Sequence, residues 1–543
     1  MNLNDNENIL DLFQDDINLD KKVDVSKDIT TKSNLPKICI KHSHIEINDY
    51  NLGDSSQLEF LFSIFDRIRR QRVPYGAEYD DKNKRLILPR GMNIDMLKRI
   101  FQCEPYVDKN HDPLVNTDPL PIKYLTRDER QLKILKFLIG ADEYGYTKTK
   151  SQLSVNSTTG SGKTFITVAA MCITGARMIL ITSSINWLSQ WRDKIKEYTK
   201  LTDDDIYTIT GRGSIDKIFA RDPLKYQVFM CSHATLNSYA NNCKEGWDAV
   251  SDLFKHLQCG VKVYDEAHLF MNNMIKIDFH TNTRKTIYLT ATPARSNNEE
   301  DVVYQEYFRN IPSIELFDPE IDPHVNYLAM LFYSSPTAAD VRRFTVGQFQ
   351  FDRNIYMNYL TNQPNFRKLV SIIIDMTLSI PGKILIYIGI NDSIIDIQKY
   401  ILEQFPFLNG CVGIYTSLVT DPQLRHDMLL KKYILSTTKS CGAASDIPDL
   451  AACVVLNEPF KSKVIARQTL GRCRNDNTLY IDCIDMSVFR TKIYYQAKKP
   501  VFHQYAKSCR EIFYSNEDLD AKYDEVMDKW KCKTVMTKPV FKQ

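Results

Sequence analysis

Short apolar runs, separated by segments with helical spacing, dominate the chain from about residue 117. LSV (153–155), RMILIT (177–182), YQVFMCS (226–232), VKVY (261–264) and TIYLT (286–290) all have strand length. Apolar runs this short and continuous predict strands covered on both faces, and their alternation with helices predicts a parallel sheet. A second series starts at NYLAMLFY (326–333). It continues through KILIYIGI (383–390), CVGIYT (411–416), YILST (433–437), ACVVLNE (452–458) and TLYIDCI (478–484), with a helix-rich stretch at 335–380. The pattern predicts an α/β protein with two similar parallel-sheet lobes, residues 117–318 and 319–499.

The segments outside the lobes read differently. KICIKHSHIEI (37–47) alternates like a strand, and SQLEFLFSIFDRIRRQRV (56–73) has apolar residues at helical spacing. KNKRLILPRG (82–91) reads as a strand ended by Pro-Arg-Gly, and MNIDMLKRIF (92–101) as a helix. Residues 35–116 are therefore expected to form a small α+β accessory domain that binds DNA. Its Arg67, Arg69, Arg70 and Arg72 either contact phosphates or line a solvated helix face. Residues 1–34 hold eight acidic and four basic side chains among many Asn, Ser and Thr, the composition of a flexible tail. Within this tail Ile9-Leu10-Asp11-Leu12-Phe13 is an apolar island. It is either a fraying helical turn or a docking peptide, since it resembles the Leu-Asp-Leu-Phe core of segments that bind bacterial sliding clamps. Residues 500–543 read as a basic helix or tail, with Lys529, Lys531, Lys533, Lys538 and Lys542 and no acid after Asp528.

Composition narrows the class. Of 543 residues, 43% are apolar and 25% charged, enough for sizeable cores and unlike a disordered or collagen-like chain. Lys and Arg number 70 against 67 Asp and Glu, so any nucleic-acid contact must be a local basic groove rather than a globally basic coat. The 13 Cys include no C-x-x-C pair, which speaks against a zinc ribbon and a disulfide framework and for a reducing, cytoplasmic compartment. No apolar run has the length of a membrane span, and the acidic N-terminus lacks the order of a secretory signal. The Asn-, Ile- and Lys-rich composition suits a virus or an AT-rich genome, which would place the protein in a host cytoplasm.

Chemistry enters after the strand LSV. Asn156-Ser157-Thr158-Thr159-Gly160-Ser161-Gly162-Lys163-Thr164 leads into the apolar segment FITVAAMCI, so a strand, a small-residue loop, Gly-Lys-Thr and a helix follow in order. Backbone N–H groups can converge on a polyanion only where side chains are small, which explains Thr159, Gly160, Ser161 and Gly162. Lys163 then supplies a point charge for the β- and γ-phosphates and Thr164 a hydroxyl for Mg²⁺. Ser157 stands where the full pattern has Gly. Downstream, VKVY runs into Asp265-Glu266-Ala267-His268. Two adjacent carboxylates at the end of a strand suit a metal-holding Asp265 and a water-activating Glu266. Leu289-Thr290-Ala291-Thr292-Pro293 closes the next strand, and its two hydroxyls are expected to hydrogen-bond the His268 ring.

With these motifs in place, the chain resembles the superfamily 2 helicases and translocases, whose second motif is Asp-Glu-Ala-His and whose third is Thr-Ala-Thr. The resemblance spans about Leu125 to Pro500 and implies two RecA-like lobes, ATP and Mg²⁺. It implies that Gln131, in Arg127-Asp128-Glu129-Arg130-Gln131, reads adenine. It also implies that His268, Thr290, Thr292 and Gln468 couple the nucleotide to the rest of the motor. The 179–199 segment, with Gln190-Trp191-Arg192, is similar to the XPB-like branch, and Trp191 is read as a core residue. Ser183, Gly211, Arg212 and Thr235 fall in motifs that grip a nucleic-acid backbone. In the second lobe, Gly442, Asp446 and Pro448 resemble the fifth motif, with Ala444 in place of its second Gly and Asp446 near the ribose. Gln468, Gly471, Arg472 and Arg474 resemble the sixth motif, with Arg474 one residue early. Its arginines, Arg472 above all, would neutralise charge developing during hydrolysis. Leu88-Pro89-Arg90-Gly91 ahead of the motor is similar to a feature of phage UvsW-type and poxvirus helicases.

The expectation is thus an ATP-dependent DNA helicase or translocase that remodels single-stranded, duplex or branched DNA. An RNA-directed or transcription-associated enzyme of the same superfamily is the first alternative. A non-catalytic nucleic-acid-binding scaffold is the second.

Overall fold

The computed structural model describes residues 36–49, 52–66, 70–80, 84–142, 145, 147–157, 162–290, 298–316, 325–346, 350–416, 418–419, 421–441, 447–473, 475 and 477–533. The apolar island at Ile9–Phe13 therefore lies outside the described residues. So do Thr159, Gly160, Ser161, Thr292, Asp446 and Arg474. The chain divides into two compact units that part after Leu316.

In the first unit, a small sheet precedes a large one. Strands β1 (Lys37–Ile40), β2 (His44–Asn48), β5 (Glu78–Asp80), β6 (Arg85–Pro89) and β7 (Tyr106–Val107) pair in the order β5-β6-β2-β1-β7. A separate antiparallel hairpin, β3 (Ser63–Asp66) and β4 (Gln71–Pro74), follows the helix Leu52–Leu61. Here the expectation of one helix through 56–73 is corrected: the helix stops at Leu61. The residues after it, with β-branched Ile64 and Val73 and with Pro74, favour extended backbone over a helix interior. Of the arginine cluster, Arg70 and Arg72 are described, and both flank or lie in this hairpin rather than on a helix face.

The small sheet shares a core with the large one. Ile38, Ile45, Ile47, Leu86 and Leu88 belong to the same apolar cluster as Ile179, Ile181 and Tyr264. Gly91, at the end of Leu-Pro-Arg-Gly, explains the need for a bare backbone. A Cβ there would come within 2.1 Å of the Tyr307 carbonyl oxygen, and the Gly91 carbonyl accepts from Asn310 N–H at 3.0 Å. The accessory region is therefore packed onto the first lobe.

The large sheet consists of β8 (Gln152–Ser157), β9 (Met178–Thr182), β10 (Ile206–Ile209), β11 (Val228–Ser232), β12 (Val261–Tyr264), β13 (Lys285–Thr290) and β14 (Ser313–Leu316). All pairs are parallel, in the order β10-β11-β9-β12-β13-β8-β14. Central β9 shows why the apolar run is continuous. Ile179 and Ile181 enter the core on one face, Met178 and Leu180 the core on the other, as a period of two requires when helices cover both faces.

The second unit repeats the plan. Strands β15 (Asn326–Phe332), β18 (Lys383–Ile388), β19 (Val412–Tyr415), β20 (Tyr433–Ser436), β21 (Leu450–Asn457), β22 (Leu479–Asp485) and β23 (Ser508–Phe513) form a parallel sheet in the order β19-β20-β18-β21-β22-β15-β23. A short hairpin, β16 (Thr345–Val346) and β17 (Gln350–Phe351), stands apart from it. The fold is α/β, with two RecA-like parallel sheets and a small N-terminal α+β portion. The described residues 500–533 differ from a simple basic helix or tail. Ser508–Phe513 completes the sheet beside β15, and the helix Asn516–Lys533 is anchored by Trp530. That ring stacks on Phe407, and its Nε1–H donates to Asp375 Oδ1 at 2.9 Å. Among the described residues, no helix is long and apolar enough to cross a membrane.

Candidate phosphate site and adjoining groove

Strand order assembles the site. Neighbours β12, β13 and β8 end at Tyr264, Thr290 and Ser157, so Asp265–His268, Thr290 and the start of the phosphate loop emerge side by side from one sheet edge. Neighbours β10, β11 and β9 deliver Thr210–Arg212, Ser232–Thr235 and Ser183–Ile185 to the same edge. Ligand sites in open parallel sheets lie at such carboxyl ends.

The helix Lys163–Thr174 starts at Lys163 and is preceded by Gly162 at φ 88°. Only glycine adopts that left-handed backbone freely, and here space is also short: a Cβ on Gly162 would approach Gln131 Nε2 to 2.3 Å. Gln131 is thus brought against the phosphate loop. It is buried, its Oε1 accepts from Arg127 N–H at 2.8 Å, and its own N–H donates to Asp128 Oδ1 at 2.9 Å. Asp128 caps the helix Glu129–Ile139 and so sets where Gln131 points. The capping role of Asp128 is legible in Asp-Glu-Arg-Gln, but its service to Gln131 is not. Lys163 Nζ donates to the Ser157 carbonyl at 2.8 Å, and Thr164 follows in the first helical turn.

Asp265 is held twice from the β9 side. Its N–H donates to the Ile181 carbonyl at 3.0 Å, and its Oδ2 accepts from Trp191 Nε1–H at 2.7 Å. Glu266 sits at φ 51°, a left-handed conformation that costs a non-glycine residue about 1 kcal/mol. The cost is met by a tight turn, Leu269 N–H to Glu266 carbonyl at 2.8 Å, and by the Ala267 N–H bond to the Leu289 carbonyl at 2.9 Å. This geometry buries the Glu266 side chain, with Oε2 3.3 Å from His268 Nδ1. The same ring nitrogen lies 2.9 Å from Thr290 Oγ1.

Ser183, Gly211, Arg212 and Thr235 line a single groove, together with Ser184 and Thr210. It is rich in hydroxyls and backbone, groups that suit phosphate oxygens rather than base edges. Ser232 Oγ accepts from Thr235 N–H at 3.1 Å and lies 2.9 Å from Thr235 Oγ1, which fixes the hydroxyl pair. Beneath the groove runs a buried stack, His233 on Tyr264 and Tyr264 on Tyr288, at centroid spacings of 5.5 Å. Tyr264, Tyr288 and Tyr307 all donate to Asp278, which also pairs with fully buried Lys262 at 2.5 Å. Burial and the Asp278 charge push these three phenols well above their usual range. No motif signalled this network.

In the second unit, Gln468 lies on the helix Lys463–Leu470 and Arg472 just beyond it, with Arg472 N–H donating to the Thr469 carbonyl at 3.2 Å. Arg472 is buried, and its charge reaches Tyr387 and Cys453, where it opposes the upward push that burial exerts on both.

Thr164 and Asp265 present a hydroxyl and a carboxylate, hard oxygen donors that suit Mg²⁺. No cluster of three or more His, Cys, Asp or Glu side chains able to hold a metal occurs among the described residues. That donor set fits an ion that takes one carboxylate plus substrate phosphates, not a structural metal in an all-protein cage.

Residues 123–295 match the family described as "Type III restriction enzyme, res subunit". A putative DNA 3′-5′ helicase Rad25 of Haloarcula marismortui is 24% identical over 265 residues, covering 45% of this chain and 40% of the relative. The general transcription and DNA repair factor IIH helicase/translocase subunit XPB of Encephalitozoon cuniculi is 22% identical over 331 residues, covering 58% of this chain and 45% of the relative. The chain thus spans less than half the length of these two relatives. Among solved structures, T4 UvsW aligns over 89% of this chain and 99% of its own at 13% identity, with a TM-score of 0.34. The family match and these sequence relatives identify a chain similar to superfamily 2 helicases of the XPB type.

Proposed function

We propose that this chain is an ATP-driven DNA translocase or helicase, with the 3′-to-5′ direction that the name of the Haloarcula relative carries. One observation carries the reading. A single sheet edge presents Lys163, Asp265, Glu266, His268 and Thr290 beyond the neighbouring strands β12, β13 and β8, and the hydroxyl-lined groove beyond β10, β11 and β9.

In this reading Lys163 leaves the Ser157 carbonyl for the β- and γ-phosphates, and Gln131 contacts adenine beside the loop. Residues Thr159, Gly160, Ser161 and Gly162 offer backbone N–H groups to the phosphates. Thr164 and Asp265 hold Mg²⁺, which when bound neutralises phosphate charge. Glu266 orients and deprotonates the attacking water. Arg472 and Arg474 supply positive charge from the second unit, and Asp446 meets the ribose. His268, Thr290, Thr292 and Gln468 pass the state of the nucleotide onward. The groove grips one strand by its phosphates, so movement is independent of sequence.

ATP hydrolysis measured with matched single-stranded DNA and RNA tests the choice of substrate. Stimulation by DNA is expected; stimulation by RNA alone would turn the assignment to an RNA-directed enzyme. Lys163→Ala should abolish hydrolysis while nucleic-acid binding persists.

A further inference from the structure

We propose that Trp191 is a positioning residue for the metal-holding carboxylate, and that its indole N–H fixes Asp265 from the helix that follows the groove-lining turn Ser183–Ile185. The proposal rests on the phosphate-site reading above and assigns a task to a side chain that sequence alone places in the core. Trp191 is 4% exposed, and Leu188 and Ile195 of the same helix, Leu188–Tyr198, are buried with it. Packing alone would be served by Phe or Leu. The indole differs by one feature, a single N–H donor with no acceptor, and that donor reaches Asp265 Oδ2 at 2.7 Å across 74 residues of sequence. An N–H donated to a carboxylate at this distance is a charge-assisted bond, roughly twice as strong as a neutral one.

The rest of the geometry makes the bond a directed one. The Asp265 backbone is tied to Ile181 on β9, and its side chain to the helix that follows β9. Between them the chain passes through Ser183, Ser184 and Ile185, which line the groove. Thr182 Oγ1 donates to the Ser184 carbonyl at 2.8 Å and stiffens this passage. Arg192, next to Trp191, donates to Asp203 Oδ1 at 3.1 Å and pins the helix on its outer side. One strand, turn and helix thus lines the groove at its turn and reaches the metal-holding carboxylate from the first turn of its helix. A carboxylate held by its neighbour meets a metal already oriented, and removing such a neighbour typically lowers metal affinity about 10- to 100-fold.

The test is Trp191→Phe in the full chain, read by binding rather than turnover. A fluorescent ATP analogue is titrated at a series of Mg²⁺ concentrations without nucleic acid, with thermal melting as the folding control. The Mg²⁺ concentration that half-saturates the tightening of nucleotide binding should rise about tenfold. Affinity in EDTA should stay within about twofold, since the indole does not touch the nucleotide in this reading. Identical Mg²⁺ titrations in the two proteins would overturn the proposal. Should the variant not fold, the wild-type chain labelled with 5-fluorotryptophan gives four ¹⁹F signals, one per Trp. These are assigned by replacing Trp187, Trp247 and Trp530 in turn. The Trp191 signal should move when Mg²⁺ is added to the nucleotide-bound protein, and a stationary signal would overturn the proposal. Failure of the wild-type chain to bind the analogue at any Mg²⁺ concentration would instead sink the phosphate-site reading itself.

Discussion

His268 Nδ1 lies 2.9 Å from the Thr290 hydroxyl and 3.3 Å from Glu266 Oε2, in a pocket where all three side chains are buried. One ring nitrogen therefore sits between the carboxylate proposed to activate water and the end of the adjacent strand. A ring so placed must respond to whichever neighbour moves.

Thr290→Ala removes one of the two contacts and leaves Glu266 intact. Basal ATP hydrolysis should stay within about threefold of wild type, while strand displacement falls at least about tenfold, a coupling loss of about 1.4 kcal/mol. Parallel hydrolysis and unwinding assays check this. Equal losses in both would show that the threonine serves the chemistry itself.

Asp278→Ala should be among the most destabilising single changes in the first unit. It leaves the fully buried Lys262 charge without its carboxylate, held by the Thr281 hydroxyl at 2.7 Å, and removes the acceptor of Tyr264, Tyr288 and Tyr307. Breaking a buried pair by deleting one partner costs roughly 3–5 kcal/mol. Urea denaturation of the full chain, followed by a probe of the first unit, measures the loss. A change below about 1 kcal/mol would show that water or repacking satisfies the lysine.

His233 predicts an acid-sensitive fold. Burial lowers its pKa from 6.5 to about 4 against the opposing pull of Asp278, and neither ring nitrogen finds a hydrogen-bond partner among the described residues. The folded value is depressed, so its contribution is full above pH 6.5 and is lost as the pH falls from 6.5 towards 4. The slope is about 1.4 kcal/mol per pH unit in that window. His233→Phe keeps a ring against Tyr264 and should flatten that part of the stability profile. Denaturation at pH 7, 6 and 5 compares the two, and parallel profiles would contradict the assignment.

Legibility followed burial. Strands β9 and β18 bury both faces, so MILIT and KILIYI appear in the sequence as nearly unbroken apolar runs, whereas β8 (QLSVNS) and β12 (VKVY) show only shorter apolar pieces. Three of the four edge strands of the two large sheets, β10, β14 and β23, contrast with the legible β19. Their sequences IYTI, SIEL and SCREIF mix polar and apolar residues, and periodicity passes them over. The hairpin at Ser63–Pro74 was hidden because Leu58, Leu61, Phe62 and Phe65 also fit a helical spacing; only the extended preference of Ile64, Val73 and Pro74 spoke against it. At the site, Gly-Lys-Thr and Asp-Glu-Ala-His are local signals whose residue types follow from phosphate and metal chemistry. Trp191 with Asp265, and Lys262 with Asp278, are not local. Trp191 meets Asp265 across several intervening elements, and Lys262 meets Asp278 only once the helix Met271–His280 packs back on its preceding strand, contacts that a single sequence does not display.

Steady-state ATP hydrolysis by the wild-type chain and by Glu266→Gln, at saturating single-stranded DNA, probes the central claim most directly. The account predicts DNA-stimulated hydrolysis in the wild type and a fall of about 10²-fold or more in the variant, the scale of a lost general base, with nucleotide binding retained. Undiminished hydrolysis in Glu266→Gln would contradict it.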